Sequence, residues 1–169
     1  MVSTFFVALM ALALIAVLKP SKSGEIERIQ DLACASLMLN SSNPDSVEII
    51  SISEPDSVFQ GQPVPPEVLD AISDSLMNVN DKVSMQWAAA GKTIQNDPYL
   101  MELLSLSARA HTFLNAFPVS ATKGPHNGWK VEVAYTTVMP SGHKICATHW
   151  AFIDKSGKIV FNSFDIPQL

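Results

Sequence analysis

The chain is poor in charged residues, and basic residues in particular form no cluster. Asp, Glu, Lys and Arg make up 16% of its 169 residues, against about 25% in an average soluble domain. The net charge is −5. Because binding to nucleic acid requires grouped Lys and Arg to neutralise phosphates, we expect no nucleic-acid partner. A sparsely charged surface instead favours a protein that lies against a membrane or against other proteins.

Cysteine is also scarce. The chain contains two, Cys34 and Cys146, which are too few for a disulfide framework. One bridge between Cys34 and Cys146 is possible if the domain lies outside the cytoplasm. Two separate buried thiols are the simpler interpretation, since free cysteine is among the residue types most often buried.

No motif in the chain identifies a reaction, a metal or a cofactor. Gly91-Lys92-Thr93 resembles the end of a phosphate-binding loop, but Gln86 stands where that motif requires glycine. His143 and His149 would lie about 20 Å apart on one face of a strand, with Cys146 on the other face, so they cannot share one zinc ion. A mid-strand Cys146 among apolar neighbours is a poor nucleophile. We therefore expect no catalytic set, no metal site and no cofactor.

The N-terminus carries the longest apolar run in the chain. Residues 5–18 include fourteen positions without a polar side chain, and residues 2–18 extend the run to seventeen. At 1.5 Å per residue this length spans about 25 Å, slightly less than a typical hydrocarbon core of ~30 Å. A single-pass anchor is the favoured interpretation, followed by a signal peptide cleaved before Gly24. A buried core helix is disfavoured because the run is apolar on every side. We therefore divide the chain into residues 1–24 and a single domain of residues 25–169.

The charged residues that flank this run indicate the side of the membrane on which the domain lies. Lys19 and Lys22 follow it and no basic residue precedes it, which would place the C-terminal domain in the cytoplasm. Glu25 and Glu27 offset those two lysines. A hydrophobic segment before a Ser-rich, lightly charged domain is typical of exported proteins. We expect a membrane-anchored or exported protein whose domain is extracytoplasmic.

Apolar periodicity predicts three helices and an early strand in the first two thirds of the domain. Helical spacing runs from about Gly24 to Asn40. Apolar residues spaced to form a stripe along one face of a helix follow Pro66, and a second such stripe follows Pro98. Each of these prolines suits the first turn of a helix. Residues 47–52 form a short β-run, and the Pro-rich residues 54–66 read as an ordered connector. The two stripes consist of Leu69, Ile72, Leu76, Val79, Val83 and Trp87, and of Tyr99, Leu103, Leu106, Ala110, Phe113 and Phe117.

Strict alternation of apolar and polar residues predicts a three-stranded antiparallel meander at the C-terminus. The strands are residues 129–139, 143–154 and 159–166, and turn residues at 140–142 and 154–158 separate them. Both faces of the middle strand are partly apolar, which indicates a central strand covered on two sides.

The predicted fold class is therefore α+β. Its order is an N-terminal apolar helix, then a helix, a strand, two long helices and the meander. This order resembles that of cystatin-like and nuclear-transport-factor-like rolls, with helices packed on one side of the sheet. The resemblance concerns element order alone, and such a fold does not define a function.

Three hypotheses for function follow. The first is a non-enzymatic, membrane-tethered or exported domain that binds a protein partner or helps assemble an envelope complex. The second is a small-ligand pocket between sheet and helices, with or without catalysis, lined by Trp129, Tyr135 and Trp150, with His126 in the loop at its lip. The third is a pilin-like filament subunit, although the apolar run holds no acidic residue and no leader ending in glycine precedes it.

Overall fold

The computed structural model describes residues 22–61, 64, 66–90, 97–116 and 122–168. These residues form three α-helices and an antiparallel sheet of five strands, which confirms the predicted α+β class. The elements are α1 (Lys22–Asn40), a 3₁₀ turn (Pro44–Ser46), β1 (Glu48–Ile52), β2 (Asp56–Phe59), α2 (Pro66–Ala90), α3 (Pro98–Ala116), β3 (His126–Val138), β4 (Lys144–Asp154) and β5 (Val160–Gln168).

The strands are ordered β1–β3–β4–β5, and β2 also pairs with β3. Ile52 lies opposite Val133, and Asp56 lies opposite Lys130, so β1 and β2 together form one interrupted edge of the sheet. The predicted meander is confirmed as β3, β4 and β5. The prediction of a connector over residues 54–66 was wrong at β2, whose four residues are too few to show an alternation.

Helices cover both faces of the sheet. On one face α1 packs Ile29, Ala33 and Leu37 against side chains of β3 and β4. On the other face α2 and α3 contribute a second cluster, in which the Phe113 ring lies 5.0 Å from that of Phe152. The two-sided burial predicted for β4 is confirmed, whereas the expectation that helices pack on one side was wrong. An apolar stripe indicates that one side of a helix is buried, but it does not indicate against which face of the sheet that side packs.

The third helix reaches both apolar clusters. It pairs with α2 through a small cluster that includes Val83 and Leu103. Leu106 packs against the cluster under α1, whereas Phe113 belongs to the cluster under α2. Trp87, which was placed on the apolar stripe of α2, is 47% exposed. The path of α3 leaves a space between α1, α3 and the sheet, and this space holds the site described below.

The predicted membrane segment, residues 2–18, lies outside the described residues. Within the described part of the chain, no helix combines the length and the apolar character needed to cross a membrane. Cys34 and Cys146, considered above as a possible pair, are free thiols. Cys34 belongs to α1 and packs against the cluster between this helix and the sheet. Cys146 lies on the opposite face of β4, which also holds Trp150, so the sheet separates the two cysteines.

The turn between β4 and β5 is organised by one carboxylate. Asp154 accepts hydrogen bonds from the Ser156 hydroxyl at 2.7 Å and from the backbone N–H groups of Lys158 at 3.1 Å and Ile159 at 3.0 Å. The Ser156 bond first, and then the bonds from Lys158 and Ile159, lower the pKa of Asp154 to about 2 from its ordinary 3.8. A lowered folded-state pKa adds stability above the unfolded value, and that stability is lost as pH falls through the folded value.

We predict that Asp154→Asn destabilises the fold at neutral pH and that this difference disappears in acid. The charged carboxylate favours the folded state only while it is ionised, so the difference should shrink between about pH 4 and about pH 2. Denaturant unfolding midpoints of both proteins across this range provide the measurement. Asp74→Asn, an exposed position on α2, removes the same charge and serves as the control. A difference for Asp154→Asn that is constant with pH would contradict the prediction.

Candidate functional site

Four polar side chains meet beneath α1, and we call them the buried network. They are Ser36 on α1, Tyr135 on β3, His149 on β4 and Asp165 on β5. His149 is 0% exposed and Asp165 is 5% exposed. Burial of such groups costs several kcal/mol unless hydrogen bonds replace those to water, at roughly 2–7 kcal/mol per unpaired group. The network must therefore be internally bonded.

Hydrogen bonds connect all four members. His149 and Asp165 lie directly opposite each other on neighbouring strands, and His149 Nδ1 is 2.8 Å from Asp165 Oδ1. His149 Nε2 is 3.1 Å from Ser36 Oγ, and the Tyr135 hydroxyl donates to Asp165 Oδ1 at 3.0 Å. Asn40 donates its amide N–H to Ser36 Oγ at 3.4 Å. A proton on Nδ1 suits the contact with Asp165, because an ionised carboxylate only accepts, and the Nε2–Ser36 contact can then be made in either direction.

Burial strongly changes the pKa of the Tyr135 hydroxyl. Desolvation first, and then the negative charge of Asp165 and the hydrogen bond to it, raise the pKa of Tyr135 far above its ordinary value, while the charge of Arg109 opposes this shift. The hydroxyl therefore keeps its proton at all physiological pH values. That proton is directed to Asp165.

Asp165 uses one carboxylate oxygen for the network and keeps the other free. Oδ1 accepts from both Tyr135 and His149, whereas Oδ2 receives no hydrogen bond from any described residue. Among the described residues no solvent-sealed polar side-chain atom lacks a partner, so Oδ2 is not sealed. Because Asp165 lines a pocket on this side of the sheet, Oδ2 faces into that pocket.

This pocket, the α1–α3 pocket, has a volume of about 210 Å³. It lies between α1, α3 and the strands β3 and β4. Part of its wall is apolar and consists of Leu37, Leu106, Met139, Pro140 and Ile145. The uncharged polar residues of the lining, together with Asp165, are Asn40, Ser41, Ser42, Ser105, Tyr135, Thr137 and Asp165.

Two charged residues of α3 complete the lining, and both are less buried than Asp165. Glu102 is half-buried and accepts hydrogen bonds from the Ser141 hydroxyl at 2.6 Å and the Ser141 backbone N–H at 3.2 Å. Arg109 is exposed and makes no ion pair with the described residues. Asp165 is therefore the most buried charge of the lining, and the two charged residues on α3 are closer to solvent.

The order Ser36–His149–Asp165 has the connectivity of a serine-hydrolase triad, but its surroundings do not suit a nucleophile. Ser36 lies inside α1 beyond its first turn, where backbone N–H groups bond within the helix. No backbone amide next to Ser36 is therefore available to stabilise an oxyanion. The network holds Asp165 in place, and it does not prepare Ser36 for attack.

The four residues proposed as a ligand site from the sequence do not meet in one place. Tyr135 lines the α1–α3 pocket. Trp129 is on the same face of β3 but about 20 Å away at 3.3 Å per residue, and its ring lies 5.0 Å from that of exposed His126. Trp150 is on the opposite face, where the Lys130 ammonium lies 4.8 Å from its ring. Tyr135 is thus the member of the proposed set that the pocket includes.

The residues that the sequence analysis missed are Ser36 and Asp165, and it treated His149 as a rejected metal ligand. Asp165 stands between Phe164 and Ile166 in a strand, and a carboxylate between two large apolar residues is a usable signal. Its partner could not be inferred, because strand register decides which residues lie opposite each other. His143 is exposed, and His149 is fully buried.

The chain matches no family model, no curated protein and no solved structure. Among the described residues no group of His, Cys, Asp or Glu has an arrangement that would hold a metal ion. Function is therefore inferred from the geometry of this chain alone.

We predict that His149→Ala destabilises the fold by about 3 kcal/mol or more, since it leaves a cavity and two buried polar groups with one partner fewer. His111→Ala, at an exposed position of α3, should change stability by less than about 0.5 kcal/mol. Urea unfolding of the two variants and the parent measures both. Equal losses would show that the network does not stabilise the fold.

Proposed function

We propose that the domain binds a compact organic molecule in the α1–α3 pocket. The free Oδ2 of Asp165 is the observation that carries this proposal. Ligand sites are typically apolar concavities with a few polar groups that fix orientation. A free carboxylate oxygen on an otherwise buried side chain, in a pocket with an apolar part to its wall, fits that description.

The volume of the pocket limits the ligand. It is about 210 Å³, below the ~300–1,000 Å³ of pockets for drug-sized molecules. A ligand of one ring or a short branched chain suits this space. Larger cofactors such as dinucleotides do not.

The buried network supports binding because it fixes the position of Asp165. His149 and Tyr135 both donate to Oδ1, so the carboxylate cannot rotate without losing two hydrogen bonds. A group held in this way loses little further freedom when a ligand arrives. The proposed activity is binding without turnover, in agreement with the expectation that the chain has no catalytic set.

A fragment screen by NMR on the full chain tests this proposal. Some fragments of fewer than about ten heavy atoms should shift signals of Leu106, Tyr135 and Asp165, since such sizes fit the pocket. Leu106→Trp should abolish those shifts by filling the space. Met101→Trp, at a 47% exposed position of the same helix, should retain them. The proposal fails if no fragment shifts the pocket signals of the parent, or if Leu106→Trp leaves the hits unchanged.

A second candidate function is protein binding through the edge strand β1, within a domain that residues 2–18 hold at a membrane, on its extracytoplasmic side. Ile49, Ile50 and Ile52 of this strand are 40%, 59% and 38% exposed. An exposed apolar edge strand favours strand addition by a partner. Exposed Glu54 follows the isoleucines, while Glu48 before them is already paired with Lys144 at 3.0 Å. The partner proposed is therefore an extended segment of alternating aliphatic and basic residues whose charge meets Glu54. No described residue favours the filament-subunit hypothesis.

A synthetic peptide of alternating isoleucine and lysine should bind the full chain and shift β1 signals, since it supplies a strand and a complementary charge. Ile50→Lys should weaken this binding at least about tenfold by placing a charge on the edge. Ile159→Lys, at a 61% exposed position away from β1, is the control. Equal binding to both variants, or no binding to the parent, would contradict this candidate.

A further inference from the structure

We infer that the ligand of the α1–α3 pocket is a compact organic amine, bound as its ammonium cation. This inference rests on the proposed binding function of the pocket and adds the chemical class of the ligand. Three observations support it: the charges of the lining, the use of its hydrogen-bond donors, and the nature of its remaining wall.

The lining carries one net negative charge. Its charged side chains are Glu102, Arg109 and Asp165. Glu102 and Arg109 are seven residues apart on α3, which is about two helical turns and places them on one face of the helix. They make no ion pair with each other. Asp165, at 5% exposure, is the most buried of the three charged residues and makes the sum of the lining charges negative.

The polar groups around Asp165 have already used their donors. The Tyr135 hydroxyl donates to Asp165 Oδ1, and the Asn40 amide nitrogen donates to the Ser36 carbonyl oxygen at 2.8 Å. Asp165 Oδ2 accepts hydrogen bonds and cannot donate when ionised. The function left at Asp165 Oδ2 is therefore an acceptor, and a ligand group that meets it must supply a donor. Arg109 keeps its N–H donors, but it lies on the exposed part of the lining, and a carbonyl or carboxylate placed at Oδ2 itself would meet repulsion.

An ammonium group satisfies both requirements at once. It brings three N–H donors and one positive charge, and a hydrogen bond between ionised groups is roughly twice as strong as a neutral one. An alcohol would supply a donor and no charge, so it should bind more weakly. The aliphatic wall of Leu37, Leu106, Met139 and Ile145 then accommodates a hydrocarbon body.

Three probes that differ only in their head group test the inference: benzylamine, benzyl alcohol and benzoate. Titrations of the full chain are followed by NMR, including the side-chain carboxyl signal of Asp165. We expect benzylamine to bind at least tenfold more tightly than benzyl alcohol and to shift the Asp165 carboxyl signal, and benzoate not to bind. The carboxyl signal in the parent protein keeps the test valid even if a variant at this position fails to fold.

Asp165→Asn should reduce benzylamine affinity at least tenfold while changing that of benzyl alcohol less than threefold. Asp31→Asn serves as the matched control, because it removes the same charge at an exposed position of α1 outside the pocket lining. It should retain benzylamine affinity within threefold. Unchanged benzylamine binding by Asp165→Asn would overturn the inference, as would tighter binding of benzyl alcohol or benzoate by the parent.

The two proposals fail in different ways. If fragments occupy the pocket but amines are not preferred over matched alcohols and acids, the amine inference is wrong and the ligand site stands. If no fragment of any class shifts the pocket signals, the ligand site itself is wrong, and the amine inference falls with it.

Discussion

The buried pair of His149 and Asp165 is the interaction on which the rest of the arrangement depends. The two side chains face each other across β4 and β5, and a shift of one residue in that pairing would move every side chain of the strand to the opposite face. Their burial requires α1 to cover the sheet and Ser36 and Tyr135 to satisfy the remaining hydrogen bonds. Strand register, the position of α1 and the geometry of the pocket wall are therefore linked.

The opposite face of the sheet contains a comparable buried charge, Lys130, whose partners are all protein groups. Lys130 is 5% exposed and lies 2.9 Å from Glu132 and 3.3 Å from Asp56, with its ammonium over the Trp150 ring. Lys130 is thus fully engaged by protein groups. Asp165 is the contrasting case, because one of its oxygens remains free. This difference, and not burial alone, is the reason that we propose a binding site at Asp165 and not at Lys130.

Much of the fold could be predicted from periodicity, because each strand of the meander and each long helix shows its own apolar spacing. The faces of β4 even indicated cover on two sides. The positions of the helices could not be predicted, since a stripe does not show its partner surface. For the site, Tyr135 was found as an aromatic residue on an apolar face. His149 and Asp165 lie sixteen positions apart in the chain, and only the register between strands brings them together.

An experimental structure of the full chain crystallised with benzylamine tests the central claim most directly. The account predicts an ammonium nitrogen within about 3 Å of Asp165 Oδ2, with His149 and Tyr135 still bonded to Oδ1 and the ring against Leu106. A structure in which both oxygens of Asp165 are bonded to protein groups, with side chains filling the pocket, would contradict it.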